Sequence, residues 1–85
     1  MNVEFSRQAF REREWWKRHD RRILEKIDDL LRNIASSPFS GLGKPEPLRG
    51  NLSGWWSRRI TGEHRLVYQV RAGTIFVSQC RYHYD

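Results

Sequence analysis

At 85 residues the chain is shorter than a usual domain of roughly 100–150 residues, so residues 1–85 are expected to fold as a single domain around one hydrophobic core. Sixteen Lys and Arg against ten Asp and Glu give a formal charge of +6, and the sequence pI of about 10.2 exceeds the value near 9 that marks a nucleic-acid footprint. The one cysteine, Cys80, cannot form an internal disulfide, no stretch approaches the ~18 apolar residues of a membrane span, and the opening MNVEFSRQAF has no apolar signal core. The expectation is a cytoplasmic protein with a polyanionic partner and no membrane.

In chain order, Asn2 to Phe5 reads as a short strand, and Ser6 is a candidate N-cap for a helix running to about His19. Asp20 is a second candidate cap, because Ile23, Leu24, Ile27, Leu30, Leu31 and Ile34 then recur at helical spacing with charges between them. That stripe is expected to pack on a sheet, and Trp15 and Trp16 are expected to pack with it. From Ser36 to Pro47 the segment SSPFSGLGKPEP carries three prolines and two glycines, which predicts an ordered loop without regular structure. A period of two follows in WWSRRI, RLVYQVR and IFVSQCRYH, separated by turns at TGEH and Ala72-Gly73. The expected fold is α+β, in the order β-α-α-β-β-β, with the two N-terminal helices on one face of an antiparallel sheet. Cys80, inside the apolar IFVSQC, is expected to be a small buried hydrophobe.

Several chemistries lack their residues. There is no cysteine pair and no HExxH, and His19, His64 and His83 are not spaced as ligands on one element, so neither a metal site nor a cofactor is expected. GLGK resembles a phosphate loop only faintly, since Pro45 follows the lysine where a Ser or Thr should stand. Thirteen of the sixteen basic residues are Arg, whose planar, permanently charged fork suits phosphate oxygens better than the point charge of Lys. The C-terminal half is the more electropositive: residues 43–85 hold seven basic and three acidic side chains, against nine and seven in residues 1–42.

Strand parity puts Arg59 on one face with Trp55 and Ser57, Arg65 with Val67 and Gln69, and Arg81 with His83, but leaves open which face is buried. Glu46 is the one acid between Asp29 and Glu63, held between two prolines and near Lys44 and Arg49. It could equally be an exposed turn residue paired with Lys44, as His83 could be a plain edge-strand residue and Arg65 a partner of Glu63. A metal-free cleavage of RNA through its own 2′-hydroxyl would use all three. A base takes the 2′-OH proton, a cation stabilises the charge on the phosphate, and an acid protonates the departing 5′-oxygen.

The segments PFSGLGKPEPL, NLSGWWSRRI, EHRLVYQV and CRYHY, in this order, resemble the hallmark stretches of YoeB-type toxins of the RelE-like superfamily, and the similarity spans nearly the whole chain. The resemblance implies a RelE-like fold, a cytoplasmic toxin of a type II toxin–antitoxin pair, and ribosome-dependent cleavage of messenger RNA in the 30S A site. It implies Glu46 as general base, Arg65 at the phosphate, His83 as general acid, and Tyr84 orienting the site or stacking on a base. Lys44, Arg49, Arg59 and Arg81 are expected to bind RNA, with Arg49 where the family can have Lys. Asp85 lies one residue past the usual terminal Tyr. A YefM-like antitoxin and a homodimer are the implied assemblies. Two other functions suit the same fold: inhibition of DNA gyrase by binding, as in the ParE branch, and plain RNA binding without cleavage.

Overall fold

The structure, a computed structural model, describes residues 1–83. Ser6 has extended backbone and its hydroxyl accepts the Ala9 N–H, which starts helix α1, Arg7–His19. Asp20 then serves two helices. Its own N–H donates to the Trp16 carbonyl and closes α1, while its carboxylate accepts from the N–H groups of Arg22 and Ile23 and opens α2, Arg21–Ser36. One residue thus fixes the hinge between them. In α2, Leu24, Ile27, Leu30, Leu31 and Ile34 are all buried, so the apolar stripe is a packing face.

Five strands form one sheet in the order β1-β5-β4-β3-β2: β1 is Asn2–Phe5, β2 Glu46–Pro47, β3 Trp56–Arg59, β4 Arg65–Arg71 and β5 Thr74–Gln79. The fold departs from the sequence pattern in three places. First, the proline-rich loop contains a strand: Glu46 pairs with Ser57 and Pro47 with Trp56. Pro47 is tolerated because β2 lies at the sheet edge, where a missing N–H breaks no interior ladder. Second, the sheet is mixed, since β1 runs parallel to β5 with Asn2 opposite Thr74 and Phe5 opposite Val77. Third, β5 stops at Gln79, four residues before His83, because the chain beyond it turns through a positive φ of 63° at Tyr82, which no strand accommodates.

Side-chain alternation divides the sheet. Leu66 and Tyr68 of β4 and Ile75 and Val77 of β5 join Ile60, Ala9, Trp16 and the α2 stripe in the core, with Phe5, Trp56 and Val70 packed against it. Each large aliphatic side chain so buried contributes on the order of 1.5–3 kcal/mol. Cys80 is fully buried, and burial, reinforced by the Glu12 carboxylate, pushes its thiol up to about 12. Both helices lie on this side. The opposite face carries Glu46, Ser57, Arg59, Arg65, Val67, Gln69 and Arg71, by the same alternation and the pairing register.

Candidate active site

The register of the sheet determines which candidates meet. Glu46 stands directly across from Ser57, and Arg59 directly across from Arg65. Facing residues in an antiparallel pair share a side of the sheet, so Glu46, Arg59 and Arg65 project from the face the helices leave uncovered. With strands about 4.8 Å apart and about 3.3 Å per residue along them, the Cα atoms of Glu46 and Arg65 are about 12 Å apart. Glu and Arg side chains can converge across that gap.

Two glycine-rich turns steer Glu46 there. The Arg59 N–H donates to the Gly43 carbonyl at 2.7 Å, and the Leu48 N–H to Trp55 O at 2.9 Å, so residues 43–48 run alongside β3 on both sides of the short β2 ladder. Gly43 has φ +80°, and a Cβ there would lie 3.0 Å from both Arg59 O and a Leu30 methyl. Lys44 follows with φ 51° and is exposed. Arg49 is also exposed and sits at the far end of the same hairpin, just before a 3-10 turn over Gly50–Leu52.

Arg65 has its Nη1 over the β3–β4 turn, donating to the carbonyls of Thr61 at 2.8 Å, Gly62 at 3.2 Å and His64 at 3.2 Å. These bonds brace the guanidinium from one side. Its backbone N–H donates to Tyr82 O at 3.0 Å, which brings the exposed His83 alongside β4. In strand order the candidates run His83, Arg65, Arg59, Glu46, with the arginines in the middle. Tyr84 and Asp85 lie outside the described residues.

Arg81 does not join this group. Its guanidinium carbon lies 3.5 Å from the centre of the Trp15 ring and 4.7 Å from that of Tyr82, on the α1 side, where it is held by cation–π attraction. Trp15 in turn stacks on His19 at 4.1 Å between ring centres.

Two residues outside the expected set shape the site. Arg58 is completely buried, and it spends all five of its N–H donors. Nε donates to Tyr68 Oη, Nη1 to Asn33 Oδ1 and Leu42 O, and Nη2 to Ser37 O and Ser40 O. It thereby clamps the loop that leads into Glu46. In WWSRRI Arg58 shares parity with Trp56 and Ile60, but parity alone does not say that this face is the buried one. His64 is the second, buried beside Trp16 and bonded to Tyr82.

Two helices on one side of a mixed sheet, with a cationic face left open, make this a RelE-like toxin domain. Residues 5–84 match the YoeB-like toxins of bacterial type II toxin–antitoxin systems, and the chain belongs to that family. Toxin YoeB of Escherichia coli (strain K12) is 48% identical over 99% of this chain and 100% of its own length. A YoeB/ParE toxin from Agrobacterium tumefaciens superposes with a TM-score of 0.95 at 50% identity, covering 99% of this chain and 100% of that one. YoeB from Staphylococcus aureus, seen as a dimer and in a heterotetrameric complex with the antitoxin YefM, gives 0.93 at 44% identity over 99% of this chain and 98% of the other.

Proposed function

We propose that this toxin is a metal-independent, ribosome-dependent endoribonuclease, acting in the cytoplasm as a single domain and cutting messenger RNA in the 30S A site. Glu46 takes the proton of a 2′-hydroxyl, which attacks the adjacent phosphorus. Arg65 stabilises the charge on the non-bridging oxygens, and His83 protonates the departing 5′-oxygen. The P–O5′ bond breaks as the P–O2′ bond forms, leaving a 2′,3′-cyclic phosphate and a 5′-hydroxyl. Tyr84 orients the scissile nucleotide or stacks on its base. Lys44, Arg49 and Arg59 hold flanking phosphates, and Arg81 is left to packing.

The observation that carries this reading is the register: a carboxylate from β2 and guanidinium groups from β3 and β4 share one face, and the β4 strand is bonded to the residue before His83. The Staphylococcus aureus complexes support a homodimer and an antitoxin of the YefM kind. An acidic segment that folds onto the open face would compete with RNA for the same arginines.

A translation reaction with purified ribosomes tests the proposal. Messenger is expected to be cut at A-site codons, with a 2′,3′-cyclic phosphate end, in the presence of a chelator of free transition metals. Glu46→Ala and His83→Ala are each expected to slow cleavage by roughly 10²-fold or more while the fold survives. Intact messenger under active translation, or a loss of gyrase supercoiling in its place, removes the nuclease reading. Normal cleavage by both variants removes only the residue roles.

A further inference from the structure

The segment after β5 carries the proposed general acid yet belongs to no regular element, so something other than a ladder must fix its direction. Its backbone is tied at two points. At Cys80 the N–H donates to Glu12 Oε1 at 2.7 Å and the carbonyl accepts from Trp16 Nε1 at 2.9 Å, which docks the segment on α1. At Tyr82 the N–H donates to His64 Nδ1 at 2.7 Å and the carbonyl accepts from the Arg65 N–H at 3.0 Å. Tyr82 is the residue with φ 63°, a left-handed conformation that a bulky L residue holds only when its surroundings impose it. The chain leaves that forced turn directly into His83.

We propose that His64 is the positioning residue for His83: its imidazole, accepting through Nδ1, locks Tyr82 in the left-handed turn that aims the general acid across Arg65. The inference rests on the nuclease reading and deepens it. His64 is well built for such a task. It is 9% exposed, its ring meets Trp16 edge-on at 4.8 Å and tilts against Tyr82 at 5.3 Å, and its backbone is fixed by the Thr61 hydroxyl and by the N–H groups of Ile60 and Thr61. A backbone N–H can only donate, so Nδ1 must carry the lone pair and Nε2 the proton. The Glu63 carboxylate, 3.5 Å from Nε2, favours that tautomer. The bond is specific to one ring position, and a side chain that merely fills the same space cannot replace it.

The test contrasts two substitutions of similar size and polarity. In His64→Asn the amide oxygen occupies the place of Nδ1 and can still accept from Tyr82, whereas in His64→Gln the amide group reaches the place of Nε2. Cleavage kinetics on programmed ribosomes and hydrogen exchange at the Tyr82 amide are measured for both, with thermal melting to verify the fold. The Gln variant is expected to lose about 10-fold or more in kcat with KM within about twofold, and to exchange the Tyr82 amide faster. The Asn variant is expected to recover most of both. Equal activity of the two folded variants overturns the proposal, as does a lost Tyr82 protection that leaves kcat untouched. If the Gln variant fails to fold, the Asn variant decides alone: wild-type kcat with Tyr82 protected supports the role, and low kcat with Tyr82 protected ends it. Should the unaltered chain leave messenger intact, the nuclease reading falls separately, and Tyr82 exchange still shows whether His64 holds the segment.

Discussion

Arg58 shows how much of the site is decided one residue at a time. A buried cation without a carboxylate partner is costly, and here five neutral acceptors, three of them loop carbonyls, replace the water it gives up. Tyr68 Oη, which accepts from Arg58 Nε, donates its own hydrogen bond to Pro38 O at 2.7 Å, so the network reaches the first residues of the same loop. Burial pushes the Tyr68 hydroxyl above its usual value, with Arg58 acting against the shift. Arg58→Met strands these acceptors and is expected to lower stability by about 2–4 kcal/mol, read as a reduced urea midpoint with unchanged slope. Arg58→Lys is expected to recover little, since one ammonium cannot span acceptors arranged around a fork. Charge and parity in WWSRRI group Arg58 with Trp56 and Ile60 without showing that this face is buried. They do not reveal that its partners are carbonyls from a loop about twenty residues earlier, because backbone acceptors leave no mark in a sequence.

At the scale of elements, local chemistry and long-range pairing were legible to different degrees. The caps at Ser6 and Asp20 are side-chain signals within three residues of the groups they satisfy, so both helices could be placed from sequence. The β2 ladder is two residues long, with Pro45 before it and Pro47 in it, and only the tertiary edge of β3 turns it into a strand. Likewise IFVSQCRYH keeps its alternation past Gln79, but the bonds from Glu12, Trp16 and His64 pull the chain out of the sheet there. Among the candidate site residues, Glu46, Arg59 and Arg65 could be named from their types and the resemblance, while their shared face needed the register. Arg81 shares parity with His83 only within a strand, and β5 ends at Gln79, so its side chain lies against Trp15 instead. The hinge of this arrangement is Gly43. Gly43→Ala adds a methyl 3.0 Å from Arg59 O at φ +80° and is expected to destabilise the protein by about 1–2 kcal/mol. Cleavage measured well below the melting temperature is expected to fall as well, because the loop carrying Glu46 must shift off β3.

For the whole molecule, the helices take one side of the sheet and leave the other to charge, and the formal charge of +6 is the sum that any polyanion meets on approach. Long-range attraction of this kind speeds encounter and weakens with salt. Binding of a single-stranded RNA with its 2′-hydroxyls methylated, which blocks cleavage, is therefore expected to weaken steeply as salt rises. Arg59→Gln is expected to reduce the log–log slope by about 0.7, the contribution of one phosphate contact. An unchanged slope places Arg59 outside the bound strand.

The parallel pairing of β1 with β5 joins segments far apart in the chain: Asn2 cannot meet Thr74, nor Phe5 meet Val77, until the helices and strands between them have been made. The helices and the β2–β3 pair can form on the way, but the β1 edge of the sheet closes only after β5. A chain that has reached only β4 carries Glu46, Arg59 and Arg65 but not His83, so on the proposed mechanism the base is in place before the acid.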